Sequence, residues 1–273
     1  MYSILEHYLS TNHILMIGMI VTFILTFFLL EHPFSFLPSD QGRAFAVNGS
    51  LSKGKLRGVG FIFVLCFLIS SVLFLPIDVE YVIYAILLFA MMISGYLDDA
   101  SKTPWNEYKK GLIDLVISIV AVLTYMNFNS TTICFGADEI VIPKALFLIL
   151  GVILIWVSVN VTNCTDGVDG LCASLCSVTL LAFGVLFAPI LQKYAMANFL
   201  FLSVLFAYLY FNSSPSSMLM GDAGSRALGF YIAVIALKST HPFIYILLAA
   251  VMIVDGGIGL VKIALKRFLK ISI

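Results

Sequence analysis

Three groups of polar residues interrupt a chain that is otherwise almost wholly apolar. They are Asp98-Asp99, the stretch Asn160-Val-Thr-Asn163-Cys-Thr-Asp166-Gly-Val-Asp169-Gly, and Asn212 with Gly221-Asp222-Ala-Gly224-Ser225-Arg226. Aspartates alone would repel any phosphate. A hard divalent cation with oxygen ligands removes the conflict, and Mg²⁺ suits carboxylates combined with substrate phosphates. Glycines beside Asp166 and Asp169 let a backbone approach a ligand closely. Gly221 to Ser225 would present free amide N–H groups at a helix start, a natural phosphate cradle. Lys102, Lys109, Lys110, Arg57 and Arg226 offer further donors to phosphate oxygens. These residue types in this grouping point to Mg²⁺-dependent phosphoryl transfer.

Each group also has a plainer reading. Asp166 and Asp222 both precede apolar helical stretches, where an acidic N-cap is favourable. Asp166 and Asp169 would share one face if a helical turn ran through them. The basic residues, taken singly, need do no more than orient the chain. Asp114 lies one turn from Lys110 and would form an i,i+4 ion pair with it. Asp98-Asp99 resists such a reading. The pair closes an apolar span, and at a helix C-terminus the macrodipole disfavours each anion by roughly 0.3–1 kcal/mol. Two carboxylates there require a cation or a bound ligand.

The elements that position these groups are membrane spans. Of 273 residues, 61% are apolar and 11% are charged, against roughly 45–50% and 25% in soluble domains. That composition excludes a soluble globular enzyme, a disordered tail and a nucleic-acid binder. Hydropathy predicts an all-α polytopic protein with nine spans, over 13–30, 58–76, 79–97, 109–127, 143–161, 168–188, 194–211, 223–238 and 242–269. With the N-terminus outside, twelve of the fifteen basic residues fall on the inner face, among them Arg43, Lys53, Lys55 and Arg57, and only Lys144, Lys193 and Lys238 fall outside. The positive-inside rule therefore sets the orientation, and all three polar groups share the inner face. The first span, followed by Glu31 and not by a small-residue cleavage site, reads as a retained helix.

Alternation around Gly136-Ala137-Asp138 predicts a small external β-hairpin near 130–143. The last span is too long for a straight crossing, and Gly256, Gly257 and Gly259 mark the expected break, with Asp255 placed to cap a half-helix. Beyond it, Lys262, Lys266 and Lys270 repeat every four residues, a basic stripe suited to an anionic lipid surface. The five cysteines show no CxxC spacing.

Asp98-Asp99, Asn160-x-x-Asn163-x-x-Asp166-Gly-x-Asp169-Gly-Leu171 and Gly221-Asp222-x-Gly-Ser225-x-x-Leu228-Gly229 resemble the signature loops of the polyprenyl-phosphate N-acetylhexosamine-1-phosphate transferases. Asn163-Cys-Thr165-Asp166-Gly is similar to the bacterial phospho-N-acetylmuramoyl-pentapeptide transferase branch. The resemblance implies one transmembrane catalytic domain over 1–273 in the bacterial cytoplasmic membrane. It implies transfer of phospho-MurNAc-pentapeptide from UDP-MurNAc-pentapeptide to undecaprenyl phosphate, giving lipid I and UMP. By the family pattern Asp222 binds Mg²⁺, Asp98 is the base or acceptor-phosphate partner, and Asp99 supports them. Asn163, Asp166 and Asp169 would line the uridine-diphosphate pocket, with Asn212, Lys102, Lys110 and Ser225 nearby. A homodimer stays open. The family pattern continues into a late His-x-His-His loop and a tenth helix, so a complete member would extend beyond Ile273. Leu219 stands where an aromatic residue for uracil is usual, and Arg57 where a Thr is common. A UDP-GlcNAc:undecaprenyl-phosphate GlcNAc-1-phosphate transferase is the alternative enzyme. An ion-coupled transporter relaying through Asp114 and Asp255 is the alternative of another class.

Overall fold

A computed structural model of the chain describes residues 1–32, 34–40, 42, 52–103, 105–136 and 138–265. The helices are α1 (Tyr2–Leu5), α2 (Thr11–Glu31), α3 (Gly60–Phe74), α4 (Val79–Asp99), α5 (Glu107–Phe128), α6 (Lys144–Thr165), α7 (Leu171–Leu186), α8 (Ala188–Leu191), α9 (Lys193–Asn212), α10 (Gly221–Lys238), α11 (Pro242–Leu248) and α12 (Ala250–Ala264). Strands β1 (Thr132–Phe135) and β2 (Asp138–Val141) form the expected hairpin, with Ile133 opposite Ile140.

Local chemistry starts several helices where they begin. Asp78 Oδ1 accepts the N–H of Tyr81 at 2.9 Å, and Asn106 Oδ1 accepts that of Lys109 at 2.8 Å. Both are N-caps that satisfy donors the helix cannot. Between the caps, apolar runs supply the rest: α2, α4, α5, α6 and α9 are long and apolar enough to cross a membrane. The bent pair α11–α12 makes a sixth if taken as one span, while α3 and α7 are shorter apolar helices. Exposed Met16, Ile20 and Phe28 on α2, with Val251, Val254 and Ile258 on α12, leave apolar faces that water would penalise and lipid would not. The protein is a multi-pass membrane protein.

α10 is the axis of the bundle. Every residue from Gly221 to Leu237 is buried, packed among α3, α4, α6 and α7. Its first turn reads Gly-Asp-Ala-Gly-Ser, and small side chains let neighbouring backbones come close. Gly60 of α3 faces Gly224, and Gly95 of α4 faces the carbonyl of Asp222; a Cβ at either glycine would collide with α10 backbone. The site's main helix is thus set by backbone proximity.

The last span breaks elsewhere than expected. The chain bends by 80° between α11 and α12, at Ala249, and Gly256, Gly257 and Gly259 lie inside α12. Gly256 serves close packing instead, because a Cβ there would strike the carbonyl of Val161 on α6. Asp255 accordingly caps no half-helix; it lies within α12 and is exposed. Lys266 and Lys270, two of the three stripe lysines, lie outside the described residues, as does Arg43.

Candidate active site

The carboxylates gather where the C-terminal end of α4 meets the N-terminal end of α10. Asp99 Oδ1 accepts the backbone N–H of Asp222 at 3.1 Å, and its Oδ2 accepts that of Ala223 at 3.0 Å. A residue of one helix therefore caps another, 123 positions later in sequence. Asp99 sits at an unfavourable dipole end of α4 and at a favourable one of α10, which removes the conflict expected for it. Gly221 makes the approach feasible: its φ is +66°, and a Cβ would run into the Asp99 carboxylate.

This cap corrects two expectations. The free amides of the Gly221–Ser225 turn are not an open phosphate cradle, since the protein's own carboxylate takes two of them. Asp222 is not an N-cap either; it lies in the first turn, with its side chain turned to cations.

Arg57 and Lys110 are those cations. The Arg57 guanidinium reaches Asp99 Oδ1 at 2.8 Å, Asp40 Oδ1 at 3.2 Å and Asp222 Oδ1 at 3.3 Å. Burial would loosen its proton, but the charges of Asp99, Asp222 and Asp40 outweigh that and hold its pKa above the ordinary arginine value. Lys110 Nζ lies between Asp98 Oδ2 at 2.5 Å and Asp222 Oδ2 at 3.0 Å. Asp98 Oδ1 also accepts the N–H of Trp105 at 2.7 Å, which folds the loop after α4 back on its end. Among the described residues, four carboxylates thus share two cations. The side chains of Asp40 and Asp99 are fully enclosed, those of Asp98 and Asp222 nearly so, while Arg57 and Lys110 remain 30% and 19% exposed. A molecule arriving from water meets the cations first and the excess negative charge behind them.

The other expected residues form a ring beside this knot. Asp169 Oδ2 accepts the N–H of Ser216 at 2.9 Å and faces Lys55 at 3.7 Å. Asn212 links the Gly170 N–H, at 3.0 Å, to the Met218 carbonyl, at 2.9 Å. These bonds draw the 166–170 and 213–220 loops together. Asn163 Nδ2 donates to Ser225 Oγ at 2.9 Å, and Ser225 in turn donates to the Gly221 carbonyl at 2.9 Å. Asp166 is the C-cap residue of α6 and does not open α7, whose N-cap is Gly170; the 166–170 segment is a turn, so Asp166 and Asp169 share no helical face. Lys102 is exposed on the loop between α4 and α5. Leu219 is buried, pinned by its N–H to the Leu56 carbonyl at 2.8 Å.

Asp114 bonds not to Lys110 but to Arg226, in a pair buried on both sides. Asp114 is thus held by Arg226, and Asp255 lies exposed on α12. Asp40 escaped notice in the sequence, where nothing sets a lone loop aspartate apart. Arg57 and Lys110 were named as donors to phosphate oxygens, and the structure places both on carboxylates of the site.

Among the described residues, no three His, Cys, Asp or Glu side chains stand together as metal ligands. Mg²⁺, however, asks for only one or two carboxylates when phosphates and water complete its shell. Asp98 and Asp222 meet that need: they converge on one ammonium group in a cluster with more carboxylates than cations.

Residues 81–240 match the model of glycosyl transferase family 4. The phospho-N-acetylmuramoyl-pentapeptide-transferase of Treponema pallidum is 35% identical, over 94% of this chain and 77% of its own. Proteins of the same name from Halalkalibacterium halodurans and Dictyoglomus turgidum are 28% and 25% identical, each over 89% of this chain and 81% and 80% of their own.

Proposed function

The chain belongs to glycosyl transferase family 4, and on that premise we propose that it transfers phospho-MurNAc-pentapeptide from UDP-MurNAc-pentapeptide to undecaprenyl phosphate, yielding lipid I and UMP. The observation that carries this reading is the cation-fronted carboxylate knot at one end of an apolar bundle. Its soluble side presents Arg57 and Lys110 to a phosphorylated donor, and its apolar surroundings suit an acceptor delivered by the bilayer.

In the reaction, an oxygen of the lipid phosphate attacks the sugar-linked phosphorus, and the bond from that phosphorus to the UMP oxygen breaks. Arg57 and Lys110 offset the charge that grows on the phosphate oxygens. Asp98 faces the acceptor phosphate and orients it or takes its proton. Asp222, with Asp98, would hold Mg²⁺, which when bound screens the departing UMP charge. Asp99 keeps the first turn of α10 closed, and so fixes Asp222. Asn163, Asp166, Asp169, Asn212, Ser225 and Lys102 belong to the donor side, on the loops that Asn212 and Asp169 tie together. The wider arrangement we propose is nine spans with the N-terminus outside and the site on the cytoplasmic face of the inner membrane.

The test is UMP release by detergent-purified protein with undecaprenyl phosphate and Mg²⁺, supplied with UDP-MurNAc-pentapeptide or UDP-GlcNAc. Turnover of the muramoyl donor, lost on chelation, is the expected result. Turnover of UDP-GlcNAc alone would transfer the protein to the other donor. UMP from neither would overturn the reading.

A further inference from the structure

One buried ion pair stands outside the machinery described above. Asp114 and Arg226 contact each other with side chains 3% and 2% exposed. Their places in sequence are telling: Asp114 follows Lys110 by four residues on α5, and Arg226 follows Asp222 by four on α10. Residues four apart lie above one another on a helix face. Lys110–Asp222 and Asp114–Arg226 are therefore successive rungs between the same two helices, with the charges exchanged from one rung to the next.

The rungs matter because α5 and α10 touch sparingly. α5 packs mainly on α4 and α6, and α10 mainly on α4, α6 and α3. Side chains, more than backbone contact, set how far the α5 face stands from α10. Arg226 also keeps Nε and Nη1 without a hydrogen-bond partner while buried. An arginine serving stability alone would be poorly spent here, since an apolar side chain of similar volume often serves a buried position as well.

We propose that Asp114 and Arg226 are positioning residues, whose buried pair sets α5 against α10 and so holds Lys110 Nζ between Asp98 and Asp222. The link to catalysis rests on the transferase reading, but the placement of Lys110 does not. Removing one partner would strand the other charge in the interior, so the pair must be neutralised together. Two double variants do this: Asp114→Asn with Arg226→Gln, and Asp114→Leu with Arg226→Met.

The first readout is reductive methylation of the detergent-purified full chain, followed by mass spectrometry at Lys110 and at exposed Lys102. An amine held between two carboxylates and mostly enclosed is shielded from the reagent, so its labelling is slow. In the double variants, methylation of Lys110 relative to Lys102 should rise about tenfold, within the range of coupled neighbours. The second readout is UMP release, which should fall about tenfold, but show no further fall in a Lys110→Gln background. Unchanged Lys110 labelling would overturn the proposal, as would an equal activity loss with and without Lys110. Recovery of neither double variant in folded form would make the pair a folding requirement and overturn it too. Absence of UMP from the unaltered protein would sink the transferase reading and leave the labelling result standing.

Discussion

Each end of the bundle holds a buried knot of charge, and the two are built to different rules. At the end away from the carboxylates, Lys238 Nζ meets Glu80 Oε1 and Oε2 at 3.1 and 3.0 Å and donates to Asn129 Oδ1 at 2.7 Å. Asn129 Nδ2 returns a bond to Glu80 at 2.7 Å, so one acid faces one base and an amide closes the loop. Nearby, Lys193 bonds Asp78, again one to one. Among the described residues, the site end gathers Asp40, Asp98, Asp99 and Asp222 around Arg57 and Lys110. A balanced knot ties α4, α5 and α10 together and needs nothing more. An unbalanced one, kept out of water, favours either a further cation or a proton on one of its acids. Excess charge, more than charge itself, separates the reacting end from the fastening end.

Substitutions can break this contrast. The largest effect should come from Asp222→Asn, which removes the excess at its centre: UMP release should drop about 10³-fold, with the thermal midpoint little changed. An equally inactive Glu80→Gln would erase the distinction between the ends. Arg57→Gln should cost about 10²-fold in the same assay, because it uncouples three carboxylates at once. Glu80→Gln, by contrast, should leave turnover per folded molecule within about twofold while lowering stability by about 3 kcal/mol, since Lys238 loses its counter-charge. Denaturant titration alongside the assay checks both halves of that expectation.

The smallest effect concerns Asp78. Burial would raise its pKa, but Lys193 and the Tyr81 N–H overcome this and hold it below the usual carboxylate range. A folded-state pKa below the unfolded one adds stability above the unfolded value and loses it as pH falls through the folded one. Its side chain is 53% exposed, so the loss below about pH 4 should be a few tenths of a kcal/mol. The native protein should therefore melt slightly above Asp78→Asn at pH 6, and that difference should shrink as pH is lowered from about 4 towards about 2.

The helices were legible because long apolar runs leave few alternatives, and the hairpin because Ile133, Phe135, Ile140 and Ile142 alternate. Asp98-Asp99 and Asp222 stood out as charges in apolar surroundings, and the structure brings them together. The bend at Ala249 was not legible, since the glycines that looked like a hinge answer a packing need that only the neighbouring helix reveals. Asp40 was obscure for a related reason: what marks it is its bond to Arg57, a residue 17 positions on. The same holds for Asp166, whose place at the end of α6 depends on where that helix stops.

The cap that Asp99 provides for α10 also has a temporal side. The ribosome completes Asp99 more than a hundred residues before the amides it will hold. During that interval the nascent chain carries a paired carboxylate without the helix that it closes, and Asp222 does not yet exist. Completion of the cap is thereby deferred until α10 is made and packs against Gly60 and Gly95. A nascent chain halted short of Gly221 lacks both the amides that Asp99 caps and the carboxylate of Asp222.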